Sequence, residues 1–346
     1  MLTRPANNTS ATLERTEERL SKLPILVLNV HSRCNCRCLM CDIWKREETN
    51  EITASHLAQH RESLKRLQVE WVVLSGGEPL MNRDLHALCT FLRGLPARIT
   101  LLTTGLLLTK RAEEVAALFD GVIVSLDGPP EIHDGIRRVK GGFDLIGRGI
   151  AAVRRLRPDM PITGRTTVQR LNCAHLRETV SSARALGLNG ISFLAADLTS
   201  QAFNRPLAWP TDRQSEVGLS REEVEMLERE VQQLIAARCE SDDAYVAESP
   251  AKLMRIVQHF RAHLGQDHFV APRCNAPWVS AVIEADGAVR PCFFHHEFGN
   301  IQRSTLEEIV NGEKALRFRR ELDIQSNPVC RRCVCALHRT DMDHCA

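Results

Sequence analysis

Cys34-Asn35-Cys36-Arg37-Cys38-Leu39-Met40-Cys41 places four cysteines in eight residues, directly after the apolar run Ile25–Val30. Read as C-x3-C-x2-C, residues Cys34, Cys38 and Cys41 offer three thiolates on one loop. Three cysteines around a cubane cluster leave one iron open to a further ligand. Zinc is the competing reading, but structural zinc commonly takes separated C-x2-C pairs. Counting through Cys36 gives C-x-C-x4-C, and we treat Cys36 as the spare thiol.

Outward from that loop the chain alternates short apolar runs with amphipathic stretches. Strands are expected at Ile25–Val30, Trp71–Leu74, Ile99–Leu102, Val122–Ser125, Ile162–Val168 and Ile191–Leu194. Between them the 3.6-residue apolar period predicts helices over Ala54–Leu67, Leu85–Leu92, Arg111–Leu118, Phe143–Leu156 and Leu176–Leu186. Six β-α units in series imply an α/β fold with a parallel sheet and right-handed crossovers, doubly wound or a partial barrel. Both architectures collect ligands at the C-terminal ends of the strands. The loops of chemical interest all follow strands.

Asp197–Ser220 reads as a loop, and helices are expected over Arg221–Ala237 and Pro250–Leu264. Val279–Glu284 and Ala288–Arg290 flank Ala285-Asp286-Gly287, a hairpin signal. Ser304-Thr305-Leu306-Glu307 reads as a capping box opening a helix that stops at Asn311-Gly312. The organisation is then an N-terminal arm (1–23), a core (24–200), a helical connector (201–268) and a C-terminal unit (269–346).

With 45 basic and 43 acidic side chains among 346 residues, the formal charge is +2, which makes no electrostatic case for nucleic acid or a membrane surface. No apolar run is long enough to span a bilayer, and Met1–Leu23 is too charged for a signal peptide. The expected compartment is the reducing cytoplasm, where thirteen cysteines call for metal or cluster ligation rather than disulfides. Six of them lie between Cys274 and Cys345. Cys89, Cys173 and Cys239 stand alone and read as buried small residues.

The cysteine loop resembles the signature of the radical S-adenosylmethionine (radical SAM) enzymes, and the resemblance extends over about Pro24–Asp197. It implies a partial (β/α)6 TIM-type barrel in which Cys34, Cys38 and Cys41 hold a [4Fe–4S] cluster. The amine and carboxylate of S-adenosylmethionine would chelate the open iron, and reductive cleavage would yield a 5′-deoxyadenosyl radical. Gly76-Gly77-Glu78-Pro79 looks like the family's GGEP loop, which binds the methionyl amine. Thr103-Thr104-Gly105 falls where relatives often have Thr-Asn-Gly. Ser125-Leu126-Asp127-Gly128 and His133-Asp134 with Arg137 are similar to the segments that follow. The cofactor-binding candidates are therefore Gly76, Gly77, Glu78, Pro79, Thr104, Ser125, Asp127, Arg137 and Leu194. For Thr104, Ser125 and Asp127 plain turn chemistry is the alternative, and Arg165 and Gln169 are further cavity-lining candidates.

Cys274-x12-Gly287-x4-Cys292 brackets the hairpin, and Cys330-x2-Cys333 supplies a second pair. Spacing alone leaves zinc and iron–sulfur open. The pattern resembles the SPASM and twitch extensions of radical SAM enzymes, implying a small hairpin-plus-helix iron–sulfur domain. The next cysteine of a full SPASM pattern falls at Arg339, so one auxiliary [4Fe–4S] cluster is assigned to Cys274, Cys292, Cys330 and Cys333. Two clusters are thus expected in all, with Cys335 and Cys345 as substitute ligands or parts of an incomplete second site. Some relatives have an aspartate base after the second hairpin cysteine; here His295 and His296 are the candidates, or they support the hairpin.

A cluster with four protein ligands suits electron transfer, which favours an oxidoreductase. Only 33 residues precede Cys34, so the leader-binding domain of many peptide-modifying relatives is expected to be absent. The expected substrate is a small metabolite or natural-product intermediate, with an external one-electron donor such as flavodoxin or ferredoxin. A peptide- or protein-modifying maturase is the second reading, and a non-catalytic iron–sulfur or zinc protein the third.

Overall fold

A computed structural model describes residues 19–241 and 244–339. The expectations for most of the N-terminal arm, for Cys345 and for the Cys239 side chain lie outside them. Nine strands form one sheet in the order β6-β5-β4-β3-β2-β1-β7-β8-β9. The first six are β1 (Ile25–His31), β2 (Trp71–Gly76), β3 (Arg98–Thr103), β4 (Gly121–Ser125), β5 (Ile162–Val168) and β6 (Ile191–Ala195). They run parallel and pair in chain order.

Side chains alternate across each strand. Leu26, Leu28, Val72, Leu74, Ile99, Leu101, Val122 and Val124 point one way and are buried in the main core. That core is closed by helices whose apolar residues recur at helical spacing, as in Gly142–Leu156 with Ile146, Ile150 and Val153. The residues between, among them Asn29, Ser75, Leu102, Ile123, Arg165 and Ser192, share the opposite face. This is the partial barrel with its lumen, and the helices cover its outside.

The C-terminal hairpin is not appended to this body but built into its sheet. β7 (Ser280–Ile283) runs parallel to β1, with Leu26 opposite Ala281 and Leu28 opposite Ile283. β8 (Ala288–Arg290) and β9 (Gly299–Asn300) continue the sheet antiparallel. The hairpin glycine, Gly287, turns with φ +87°.

Several local expectations are corrected. The helix over Ala54–Leu67 is two, Ala54–Ala58 and Arg61–Arg66. It breaks at His60, which is drawn into the core and accepts the Leu306 N–H at its Nδ1. The capping box is one residue later than expected: Thr305 accepts from Glu308 N while Glu308 reaches back, opening Leu306–Val310. The loop after β6 contains a helix, Thr211–Val217, with Pro210 in extended backbone at its N-cap. Pro130–Arg137 and Glu313–Glu321 are further helices. Cys89 and Cys173 are buried as expected.

Candidate iron–sulfur active site

The cysteine loop leaves β1 at the C-terminal end of the sheet, and the Gly-Gly-Glu-Pro turn is clamped against its base. Gly77 N donates to His31 O at 2.8 Å and Glu78 N to Arg33 O at 2.9 Å. A Cβ on Gly77 would lie 2.0 Å from Arg33 O, so only glycine permits the contact. Gly76 has φ +119°, and a Cβ there would meet His31 O at 2.7 Å.

Glu78 is fully buried, and its carboxylate holds the loop after β3. It accepts from Leu80 N, Thr103 Oγ1, Thr104 N and Thr104 Oγ1 at 2.6–3.0 Å. The structure thus places Glu78 and Thr104 in one internal network, beside the glycine backbone that lines the loop.

Asp127 is also fully buried. Its oxygens accept from Thr167 N at 2.8 Å and Arg137 Nε at 2.6 Å. Arg137 in turn donates to the Cys38 sulfur at 3.5 Å. A hydrogen bond with Cys36, then the Arg137 charge, holds the Cys38 thiol down to about 7 against its burial. Hydrogen bonds to Cys34 and Cys38, with burial, push the Cys36 thiol far above its ordinary range, so Cys36 stays protonated between them. Burial pushes Cys41 up to about 12, opposed by the hydrogen bond from Ile43 N. Thiols crowded and desolvated in this way repel one another as thiolates, and bound iron relieves that repulsion by withdrawing their charge. The loop therefore fits a cluster.

Ser125, Arg165 and Ser192 stand in register on β4, β5 and β6, facing the lumen. Arg165 Nε donates to Ser192 Oγ at 3.2 Å. Leu194 is opposite Thr167 and half-buried. Gln169, just past β5, is fully buried and donates to the Met40 sulfur at 3.4 Å.

The segment after β6 straps across the cysteine loop. Trp209 Nε1 donates to Asp42 Oδ2 at 2.7 Å and Asn204 Nδ2 to Asp42 O at 3.0 Å. Arg213 reaches Leu39 O. A buried Asp197–Arg205 ion pair braces the strap, with Arg205 stacked on Trp209. Phe203, in the left-handed region at φ +56°, packs against Phe293 and Phe294, the two residues after Cys292. Only turn residues mark this strap in the sequence, because its anchors are single polar side chains.

The C-terminal cysteines gather at the hairpin. Burial pushes Cys292, Cys330 and Cys335 up to about 11 and Cys333 well above the usual thiol range. The nearby Cys274 adds to the rise in all four. Cys335 thus stands within electrostatic reach of the assigned Cys274, Cys292 and Cys333. Among the described residues no three His, Cys, Asp or Glu side chains lie close enough to hold one metal ion directly; the thiols act on one another at longer range. His295 is buried, with Nε2 3.4 Å from the Cys330 sulfur and its ring against Phe318. Burial, then His296, holds its pKa down to about 4.

Residues 28–183 match the family model of the radical SAM superfamily, and residues 274–334 match SPASM, an iron–sulfur cluster-binding domain. The chain thus carries a radical SAM domain and a SPASM domain. The cofactors of these two domains are S-adenosylmethionine and [4Fe–4S] clusters. Pre-heme d1 synthase of Dinoroseobacter shibae is 32% identical over 136 residues, 38% of this chain and 34% of that protein. A probable GTP 3′,8-cyclase of Methanocella arvoryzae is 37% identical over 139 residues, 39% of this chain and 43% of that one. The matches thus span about a third to under half of these relatives' lengths. SuiB of Streptococcus suis, solved with its precursor peptide SuiA, has the same fold at a TM-score of 0.64 and 15% identity, over 92% of this chain and 72% of SuiB. SuiB has also been solved with S-adenosylmethionine. Among the described residues no helix is long and apolar enough to cross a membrane.

Proposed function

We propose that this radical SAM enzyme is an oxidoreductase that takes hydrogen from a small metabolite or natural-product intermediate and passes an electron to one auxiliary [4Fe–4S] cluster. The observation that carries the reading is the second group of half-buried thiols, around a hairpin whose β7 lies directly beside β1. Cys34, Cys38 and Cys41 would hold the cleaving cluster; Cys274, Cys292, Cys330 and Cys333 would hold the auxiliary one. The cleaving cluster, when bound and reduced, supplies the electron that splits S-adenosylmethionine to methionine and a 5′-deoxyadenosyl radical.

The chain's own residues prepare that step. The Gly76–Gly77 backbone lines the place for the methionyl amine, and Ser125 and Arg165 offer a hydroxyl and a cation to its carboxylate. Arg137 offsets negative charge at Cys38. The strap over Leu39–Asp42 keeps water from the cysteine loop, which protects a reactive radical. Four thiolates leave no iron open at the auxiliary cluster, which suits it to take an electron rather than bind substrate. Flavodoxin or ferredoxin would supply the priming electron from outside. The names of the two relatives denote small-molecule chemistry, which supports a small substrate here.

The test is anaerobic reconstitution followed by S-adenosylmethionine and a strong reductant. The expected result is 5′-deoxyadenosine and about eight irons per chain, from two cubane clusters. Cys330→Ala or Cys333→Ala should retain cleavage with about four irons. Tightly bound zinc without cleavage would sink the proposal, and an unchanged iron content in both variants would remove the auxiliary ligands.

A further inference from the structure

We propose that Asn35, which no motif assigns, is a positioning residue joining the Gly-Gly-Glu-Pro network to the cleaving cluster, its amide N–H groups turned toward Thr104 and Cys34. The inference rests on Cys34 as a cluster ligand. The Thr104 hydroxyl lies 2.6 Å from Glu78 Oε2 and 3.0 Å from Asn35 Oδ1. A hydroxyl has one proton, so it cannot donate to both oxygens. Asn35 Nδ2, meanwhile, is buried without a hydrogen-bond partner among the described residues.

A half-turn of the amide exchanges its oxygen and nitrogen without changing its shape. Asn35 Nδ2 then donates to Thr104 Oγ1, and Thr104 donates to Glu78. The same Asn35 atom lies 3.9 Å from the Cys34 sulfur, so the second amide proton faces a thiolate. Two protons meet two acceptors, and the atom left unpaired is a carbonyl oxygen instead of an N–H. An orphaned buried N–H is the rarer and costlier of the two. Glu78, with its other donors Leu80 N, Thr103 Oγ1 and Thr104 N, fixes the far end. The chain Glu78–Thr104–Asn35–Cys34 therefore connects the loop that carries Gly76 and Gly77 to one cluster sulfur. Thr104 supplies the middle hydroxyl, at the position where relatives often have asparagine.

An N–H facing a cluster sulfur stabilises the added electron and raises the reduction potential. The test is a redox titration of the cleaving cluster, followed by electron paramagnetic resonance, on reconstituted full-length protein. Asn35→Leu should shift the midpoint to lower potential, and Asn35→Asp further, because its carboxylate faces the thiolate. Thr104→Val breaks the chain while leaving every residue of the cysteine loop unchanged; it should shift the midpoint the same way, and Thr104→Ser should restore it. Iron analysis accompanies each titration. If Asn35→Leu loses its cluster, the two Thr104 variants still decide the question. An unchanged potential in Thr104→Val at full iron content overturns the inference. Absence of any cluster in Cys34-containing wild type overturns the functional reading instead.

Discussion

The Nη1 of Arg137 lies 3.5 Å from the Cys38 sulfur, while its Nε lies 2.6 Å from the buried Asp127 carboxylate. One guanidinium thus serves both the thiol proposed as a cluster ligand and a fully buried carboxylate. Arg137→Leu should leave Asp127 as an uncompensated buried charge and destabilise the protein by about 3–5 kcal/mol. Loss of the nearby cation should also lower the midpoint potential of the cleaving cluster. Arg137→Lys keeps the charge but not the fork, so it should recover part of both effects. Thermal unfolding and redox titration measure them separately, and a wild-type potential in Arg137→Leu would rule out the electrostatic role.

The contact between the Gly-Gly-Glu-Pro turn and the cysteine loop has no spare room. Gly77→Ala puts a methyl group 2.0 Å from a backbone oxygen, neither side being a flexible chain end. The two loops must separate, which disturbs both the thiols and the glycine backbone. We expect the variant to lose S-adenosylmethionine binding and the cleaving cluster but to retain the auxiliary one, leaving about four irons per chain. Equilibrium dialysis and iron analysis check this. A variant with full iron and wild-type affinity would show that the close approach has no functional weight.

The barrel was legible because its signal is repeated. Each of the six parallel strands is an apolar run followed by a loop and an amphipathic helix, and the expected strands fall within a residue or two of those observed. The cysteine loop was legible because three thiols sit on one short segment. The strap was not, since Trp209, Asn204 and Arg213 reach Asp42 and Leu39 from far along the chain, and no local pattern encodes such a contact. The seating of β7 against β1 was hidden for the same reason: Ser280–Ile283 reads as half of a hairpin, and nothing in it names its second neighbour. The break at His60 came from tertiary contact with Leu306 overriding a continuous helical period.

His259 and His263, one turn apart on the helix Pro250–His263, face each other with Nε2 atoms 3.2 Å apart. Burial holds His259 down to about 3 and His263 to about 4. Arg255 also disfavours charge on His259 and Arg332 on His263, while Ala196 O and Asp197 oppose them. Both folded values lie below the ordinary histidine value of about 6.5. The unfolded chain therefore binds more protons, so this stability is full above about pH 6.5 and is lost as pH falls toward 4 and then 3. The melting temperature should drop on acidification more steeply in wild type than in His259→Gln/His263→Gln. Parallel melts of holoprotein at about pH 7.5 and 5.5 measure the difference; parallel slopes would contradict it.

His295 invites two roles, and its burial beside Cys330 favours one of them. A proton acceptor for substrate would be open to the cavity, yet His295 is buried, with its Nε2 on the Cys330 sulfur and its ring edge-on to Phe318. A ring N–H on a cluster sulfur stabilises the reduced state. His295→Phe keeps the packing and removes the hydrogen bond, so it should lower the midpoint potential of the auxiliary cluster. It should leave both the iron content and 5′-deoxyadenosine formation near wild type, because the cleaving cluster is untouched. His295→Gln, which retains a donor, should fall between the two. Redox titration of the auxiliary signal provides the measurement. Were His295 instead the base, the potential would stay fixed and the pH profile of substrate turnover would lose its acidic limb.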